Sequence, residues 1–117
     1  AAVGVDDPDA RFVDGAGGQS VFPRMWERMQ PVVDGSIVVS LDEVRRAMRL
    51  LAEKARVISE GAGALAVAAA LTGKAGPGPI VAIVSGGNID LAKFCELIAV
   101  PALQEPRQGP MRGEKLQ

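Results

Sequence analysis

Histidine and tyrosine are missing from this chain, cysteine and tryptophan occur once each, and phenylalanine occurs three times. Each shortage closes a class of function. Without an imidazole there is no Ser-His-Asp triad, no Cys-His pair and none of the commonest zinc ligand sets. The single cysteine, Cys95, cannot form an internal disulfide, and in the apolar run of Leu91, Phe94, Leu97 and Ile98 its thiol reads as a small hydrophobe. So few aromatics leave no stacking platform for single-stranded nucleic acid, and a formal net charge of -1 gives no basic surface for a duplex. Nucleic acid is therefore not an expected partner. Long hydrophobic runs are missing too: the longest, Gly61 to Leu71, is well short of the roughly 20 residues of a membrane span, and no basic-then-apolar leader opens the chain. The expected setting is the cytoplasm, without a membrane. Any chemistry must draw on carboxylates, lysines, hydroxyls or a cofactor.

What is present supports one modest core. At 117 residues and 48% hydrophobic content, one domain would bury roughly two-thirds of its unfolded surface. Ala2 to Val5 reads as a buried strand running into the turn Asp6-Asp7-Pro8, and Asp9 to Ser20, polar and glycine-bearing, reads as a loop. Pro23 with Met25, Trp26 and Met29 predicts a short helix with proline in its first turn, stopped by Pro31, Asp34 and Gly35. Ser36 to Val39 is a β-branched run. Ser40 and Glu43 then form the S-x-x-E pattern of a capping box, opening a helix to about Arg56 with a stripe of Leu41, Val44, Met48, Leu51 and Ala55 and an Asp42–Arg46 pair on its wet side. An alanine-rich helix to Leu71 follows, with Gly73 as its stop. Beyond the turn Gly76-Pro77-Gly78-Pro79, Ile80 to Val84 has the composition of a central parallel strand, and a helix is expected from about Asp90 to Ile98. Alternating strands and helices predict an α/β fold, a partial three-layer sandwich with a short, mostly parallel sheet and flanking helices. Residues 1–103 form the domain in this reading, and 104–117, with Pro106 and Pro110, a flexible tail.

In such folds ligands bind beyond the carboxyl ends of strands, where loops vary and helix N-termini converge. Ser85-Gly86-Gly87-Asn88 stands at such a place. Paired glycines let the backbone approach a planar or anionic ligand, and the Ser85 hydroxyl can donate or accept a hydrogen bond. On spacing alone, four residues do not separate this from a tight turn capped by Asn88 or Asp90. Glu60-Gly61-Ala62-Gly63 is a second candidate, where a carboxylate at a helix start serves equally as a cap or as a functional group. Gly15 to Gly18 lacks the following helix and Lys-Ser/Thr of a phosphate cradle.

Taken together, Val57-Ile58-Ser59-Glu60-Gly61-Ala62-Gly63-Ala64-Leu65-Ala66, about twenty residues ahead of Ile83-Val84-Ser85-Gly86-Gly87-Asn88-Ile89-Asp90, resemble the carboxy-terminal end of the serine/threonine dehydratases, which are fold-type II pyridoxal-phosphate enzymes. The Ser36–Ser40 run with Glu43 and its helix is similar to the stretch before those motifs, so the resemblance covers roughly residues 20–98. It implies pyridoxal 5'-phosphate as cofactor, with Ser85 at the pyridine nitrogen, Gly86 beside the ring, Asn88 in the same loop and Glu60 as a nearby carboxylate. A neutral hydroxyl holds that nitrogen protonated less firmly than a carboxylate would, which favours elimination of a β-hydroxyl over transamination. Asp6 and Ala10 fall near positions that bind a divalent cation in some relatives, but Phe12 stands where another acid is expected, so no metal site is assigned.

The implied activity is that of a lyase converting L-threonine or L-serine to a 2-oxo acid and ammonia, with an amino-acid substrate and a homo-oligomeric assembly. Departures from the family pattern qualify this. The lysine that carries the cofactor lies, in that family, in a segment with a following arginine and glycine, and Lys54, Lys74, Lys93 and Lys115 all lack such a context. The S-x-G-N-H segment and the phosphate-binding glycine tetrad are also absent, so no catalytic residue is assigned and the chain reads as a portion of such an enzyme, inactive on its own. The alternatives are a non-catalytic α/β module, or another fold-type II activity such as a racemase or threonine synthase.

Overall fold

The computed structural model describes residues 8–18 and 20–99. A 3-10 helical segment, Pro8–Ala16, leads to helices α1 (Pro23–Met29), α2 (Leu41–Leu50), α3 (Gly61–Leu71) and α4 (Leu91–Ile98), and α2 runs on through one π-helical turn, Leu51–Ala55.

Local chemistry places the helix ends. Pro23 occupies the first turn of α1, where its missing N–H costs nothing, and Phe22 before it is extended (φ -58, ψ 137), as a residue preceding proline must be. At α2 the capping box forms in both directions. Ser40 Oγ accepts from the Glu43 N–H at 3.2 Å, and Glu43 Oε2 accepts from the Ser40 N–H at 2.6 Å. On the wet face Asp42 pairs with Arg45 at 2.8 Å, one residue short of the Arg46 expected, while the Arg45 guanidinium also lies 5.0 Å from the Phe12 ring centroid. The π-helical turn ends on Arg56 in the left-handed region (φ 59). Helix α3 stops at Thr72, followed by Gly73 at φ 73, a conformation that glycine adopts without a side-chain clash.

The core lies where α2, α3 and α4 meet. Val44, Ala47 and Met48 of α2 close over Ala64 and Ala68 of α3, with Phe94 and Leu97 of α4 completing the cluster. Phe12 and Val13 pack against it from the 3-10 segment, Val13 at a kink (φ -112, ψ 26). The segment Asp9 to Ser20, expected to be a loop, is helical as far as Ala16 because these two side chains dock on α3, a tertiary contact with no periodic signature. Cys95, read as a small hydrophobe of this apolar run, is exposed: Phe94 and Leu97 point inward, and position 95 falls on the outer face.

The predicted α/β sandwich with a parallel sheet is not what the described residues form. The described residues are helical and contain no strand. Neither Ser36–Val39 nor Ile80–Val84 makes a backbone–backbone hydrogen bond to a described residue, and Val38, Val81 and Ile83 are 69%, 91% and 72% exposed. The physical reason is that β-propensity measures fit to a pleated, half-buried surface beside neighbouring strands. With no ladder partner among the described residues, the same β-branched side chains leave these runs irregular. The expected strand Ala2–Val5, Asp6 and the tail 104–117 lie outside the described residues.

Removing the Ser40 hydroxyl (Ser40→Ala) is expected to lower stability by about 1 kcal/mol, read from the urea midpoint. The Glu43 carboxyl is held below its usual value of 4.5, first by the hydrogen bond from the Ser40 N–H and then by the Ser40 hydroxyl. A carboxyl depressed in the folded state stabilises above its unfolded value and loses that contribution as pH falls through the folded value. Helicity followed by circular dichroism is therefore expected to fall on acidification below about pH 4.5, and Glu43→Gln is expected to flatten that dependence.

Candidate functional site

The two segments marked by their motifs meet in space. Glu60 is the N-cap residue of α3, extended at φ -74 and ψ 168, so its N–H points away from the helix. That N–H donates to the Gly86 carbonyl at 3.1 Å. The Glu60 side chain accepts no hydrogen bond from the first turn of α3, so it is not a helix cap. Its carboxylate lies against Gly86 instead, where a Cβ on Gly86 would overlap Glu60 Oε1.

The close approach depends on missing side chains. A Cβ on Gly63 would run into the Gly86 carbonyl oxygen and lie 2.8 Å from the Gly86 nitrogen. One on Gly87 would lie 2.8 Å from the Ile58 carbonyl oxygen, and one on Gly61 would overlap the Phe12 carbonyl. The bare faces of Gly86 and Gly87 are thus taken up by Glu60 and Ile58. After the glycines the chain tightens, with the Ile89 N–H donating to the Gly87 carbonyl at 3.0 Å, and α4 starts at Asp90, whose side chain makes no cap hydrogen bond.

Beside this junction lies a cavity of about 460 Å³. Arg11, Phe12 and Asp14 line it from the 3-10 segment, Arg45 from α2, Glu60 from the start of α3, Asn88, Ile89 and Asp90 from the loop, and Lys93, Glu96 and Leu97 from α4. The volume suits a small molecule, and the wall carries charge of both signs. Lys93 Nζ is held 3.2 Å from Glu96 within it. Of the four residues marked in the sequence, Glu60 and Asn88 line the cavity and Gly86 borders it through Glu60. Ser85 is exposed, stands outside the cavity wall, and its hydroxyl makes no hydrogen bond to a described residue. Sequence reading missed Asp14, Arg45 and Lys93. They come from separate elements with no common spacing, and Arg45 belongs to a face that reads as plain solvated surface. Ser59, next to Glu60, is fully buried, and its Oγ has no hydrogen-bond partner among the described residues.

Residues 2–86 match the pyridoxal-phosphate dependent enzyme family. The chain belongs to that family. Its curated relatives include the L-threonine dehydratase catabolic TdcB of Staphylococcus aureus strains N315 and Mu50, each 38% identical over 95 residues, and that of strain USA300 at 37%. Those matches cover 77% of this chain and 28% of each relative, so the chain spans little more than a quarter of their length. The family's cofactor is pyridoxal phosphate. Toward such a group Ser85 offers an exposed hydroxyl without a described protein partner, bonded to Gly86 of the junction but outside the cavity wall. No described lysine stands in the sequence context that carries the cofactor covalently.

Two substitutions separate the packing contributions at this junction. Ser59→Ala is expected to leave the urea midpoint unchanged or raise it by up to about 1 kcal/mol equivalent, since it removes a buried hydroxyl that has no partner among the described residues; a clear loss would mean that a partner exists. Gly61→Ala is expected to cost about 1–3 kcal/mol, because its new methyl meets the Phe12 backbone.

Proposed function

We propose that this chain supplies the ring-edge portion of a pyridoxal-phosphate-dependent lyase that dehydrates and deaminates L-threonine or L-serine to a 2-oxo acid and ammonia. The observation that carries this reading is the Glu60 N–H to Gly86 carbonyl hydrogen bond, which joins the E-G-A-G and S-G-G-N segments in one junction beside a small-molecule cavity. The names of the L-threonine dehydratase relatives support the choice of reaction.

When bound, pyridoxal phosphate supplies an electron-accepting ring for elimination at the β-carbon. Ser85 sits at the ring nitrogen in this reading. Its hydroxyl is neutral, so it holds a proton on that nitrogen less firmly than a carboxylate would, which tilts the outcome towards elimination. Gly86 would lie beside the ring through its backbone, since its bare face is taken up by Glu60. The Glu60 carboxylate lines the cavity beside the loop and would be available there as an acid–base group. Asn88, which also lines the cavity, would offer its side-chain amide to polar groups there. The reading carries an amino-acid substrate, a cytoplasmic setting and a homo-oligomeric assembly. No helix among the described residues is long and apolar enough to cross a membrane.

A second reading, a non-catalytic folded module, is favoured by the lysines, none of which has the context of a cofactor carrier. Two experiments decide. Pyridoxal phosphate titrated into the 117-residue chain, followed by borohydride reduction and mass spectrometry, is expected to trap no single lysine; a stoichiometric label, which would fall on Lys93 as the described lysine lining the cavity, would overturn the assignment of covalent attachment to other parts of the enzyme. The reaction is tested by placing residues 20–98 into the matching stretch of the Staphylococcus aureus dehydratase. Release of 2-oxo acid from L-threonine or L-serine is expected, reduced by about tenfold or more in Ser85→Ala. A chimera that binds cofactor yet forms no 2-oxo acid would favour the module.

A further inference from the structure

Resting on the reading that Ser85–Asn88 holds the cofactor, we propose that Gly63 is a positioning residue of that site: its missing side chain seats the first turn of α3 on the Gly86 peptide and so fixes the loop that carries Ser85. Gly63 lies three residues after Glu60, on the same face of the turn. A Cβ there would overlap the Gly86 carbonyl oxygen and lie 2.8 Å from the Gly86 nitrogen and 3.1 Å from its carbonyl carbon. All three obstacles are backbone atoms, so no flexible side-chain end can move aside.

Relieving the overlap requires the loop to retreat by roughly an ångström. That retreat would stretch the 3.1 Å Glu60 N–H to Gly86 carbonyl hydrogen bond beyond useful range. Gly87 also lies against the Ile58 carbonyl, two residues before Glu60, so the loop meets this segment at a second point. Ser85 is bonded directly to Gly86 and moves with it. An error of that size at a binding group typically costs orders of magnitude in function.

Two neighbouring glycines make the argument specific. Gly61 is in the same turn and equally crowded, but it faces Phe12 and Val13 of the 3-10 segment, away from the loop. A Cβ on Gly86 would meet Glu60 Oε1, the far end of a side chain that can swing away. The three positions thus separate loop seating (Gly63), general packing (Gly61) and carboxylate placement (Gly86).

The test uses the isotope-labelled 117-residue chain and reads amide exchange at Glu60, amide chemical shifts of Ser85–Asn88, and the response of those shifts to added pyridoxal phosphate. Gly63→Ala is expected to lose at least about tenfold in Glu60 amide protection, to shift the Ser85–Asn88 signals, and to weaken half-saturation by pyridoxal phosphate about tenfold or more. Gly61→Ala is expected to lower the urea midpoint while leaving the loop signals in place, and Gly86→Ala to keep Glu60 amide protection. Unchanged Glu60 exchange and loop shifts in Gly63→Ala, or an equal loop shift in Gly61→Ala, would overturn the proposal. Should Gly63→Ala fail to fold, the unsubstituted chain and Gly86→Ala decide: a Glu60 amide that exchanges freely in either overturns it, and protection in both upholds it. If the loop signals of the unsubstituted chain ignore pyridoxal phosphate, the cofactor reading fails, while the exchange and shift measurements still decide whether Gly63 seats the loop.

Discussion

The constraint on which the structure depends is how closely other backbone can approach helix α3. Its residues are glycine, alanine, leucine and valine, with no polar face. Two of the first three are glycine, each about 1 kcal/mol less favourable than alanine in a helix interior. Isolated helices of this length are marginal in water in any case. What offsets these costs is packing: Ala64 and Ala68 lie under Val44, Ala47 and Met48 of α2, Gly61 lies under the Phe12 backbone, and Gly63 meets the Gly86 peptide. A larger residue at any of these points would separate two elements. The same short contacts that build the core therefore also set the geometry of the junction between the two motif segments.

Features encoded in a few adjacent residues were legible in the sequence. The Ser40–Glu43 box, Pro23 at the start of α1 and Gly73 after α3 depend on hydrogen bonds or torsions spanning no more than four residues, and the structure shows each of them. Features that need distant partners were not. Val38, Val81 and Ile83 have the side chains of strand residues, but a strand exists only beside another strand. The 3-10 segment is polar and aperiodic, and takes its form from two side chains docking on α3. The exposure of Cys95 and the pairing of Asp42 with Arg45 turn on a helical rotation of a single residue, finer than apolar spacing resolves. In the candidate site, Glu60 and Ser85–Asn88 were found through their motifs, whereas Asp14, Arg45 and Lys93 reach the cavity from three further elements that nothing in the chain's order links.

The junction also changes what the glycines of S-G-G-N are for. Read from the sequence, two adjacent glycines suggest backbone laid open to a ligand. In the structure their open faces are filled from within, Gly86 by the Glu60 carboxylate and Gly87 by the Ile58 carbonyl. Of the groups left outward, the Ser85 hydroxyl is exposed and has no described protein partner, which the proposed role at a ring edge would require. This division has a chemical consequence. A hydroxyl at the ring nitrogen donates or accepts as the ligand requires and carries no charge, so its influence on the electron demand of the ring is weak. The carboxylate that could exert a strong influence is Glu60, and the Gly63–Gly86 contact fixes where its backbone stands without fixing its far end. Position is thus set by rigid backbone contact, while charge sits on a side chain free to respond. In the proposed elimination, that combination would keep the loop at the ring edge still while leaving the carboxylate able to move.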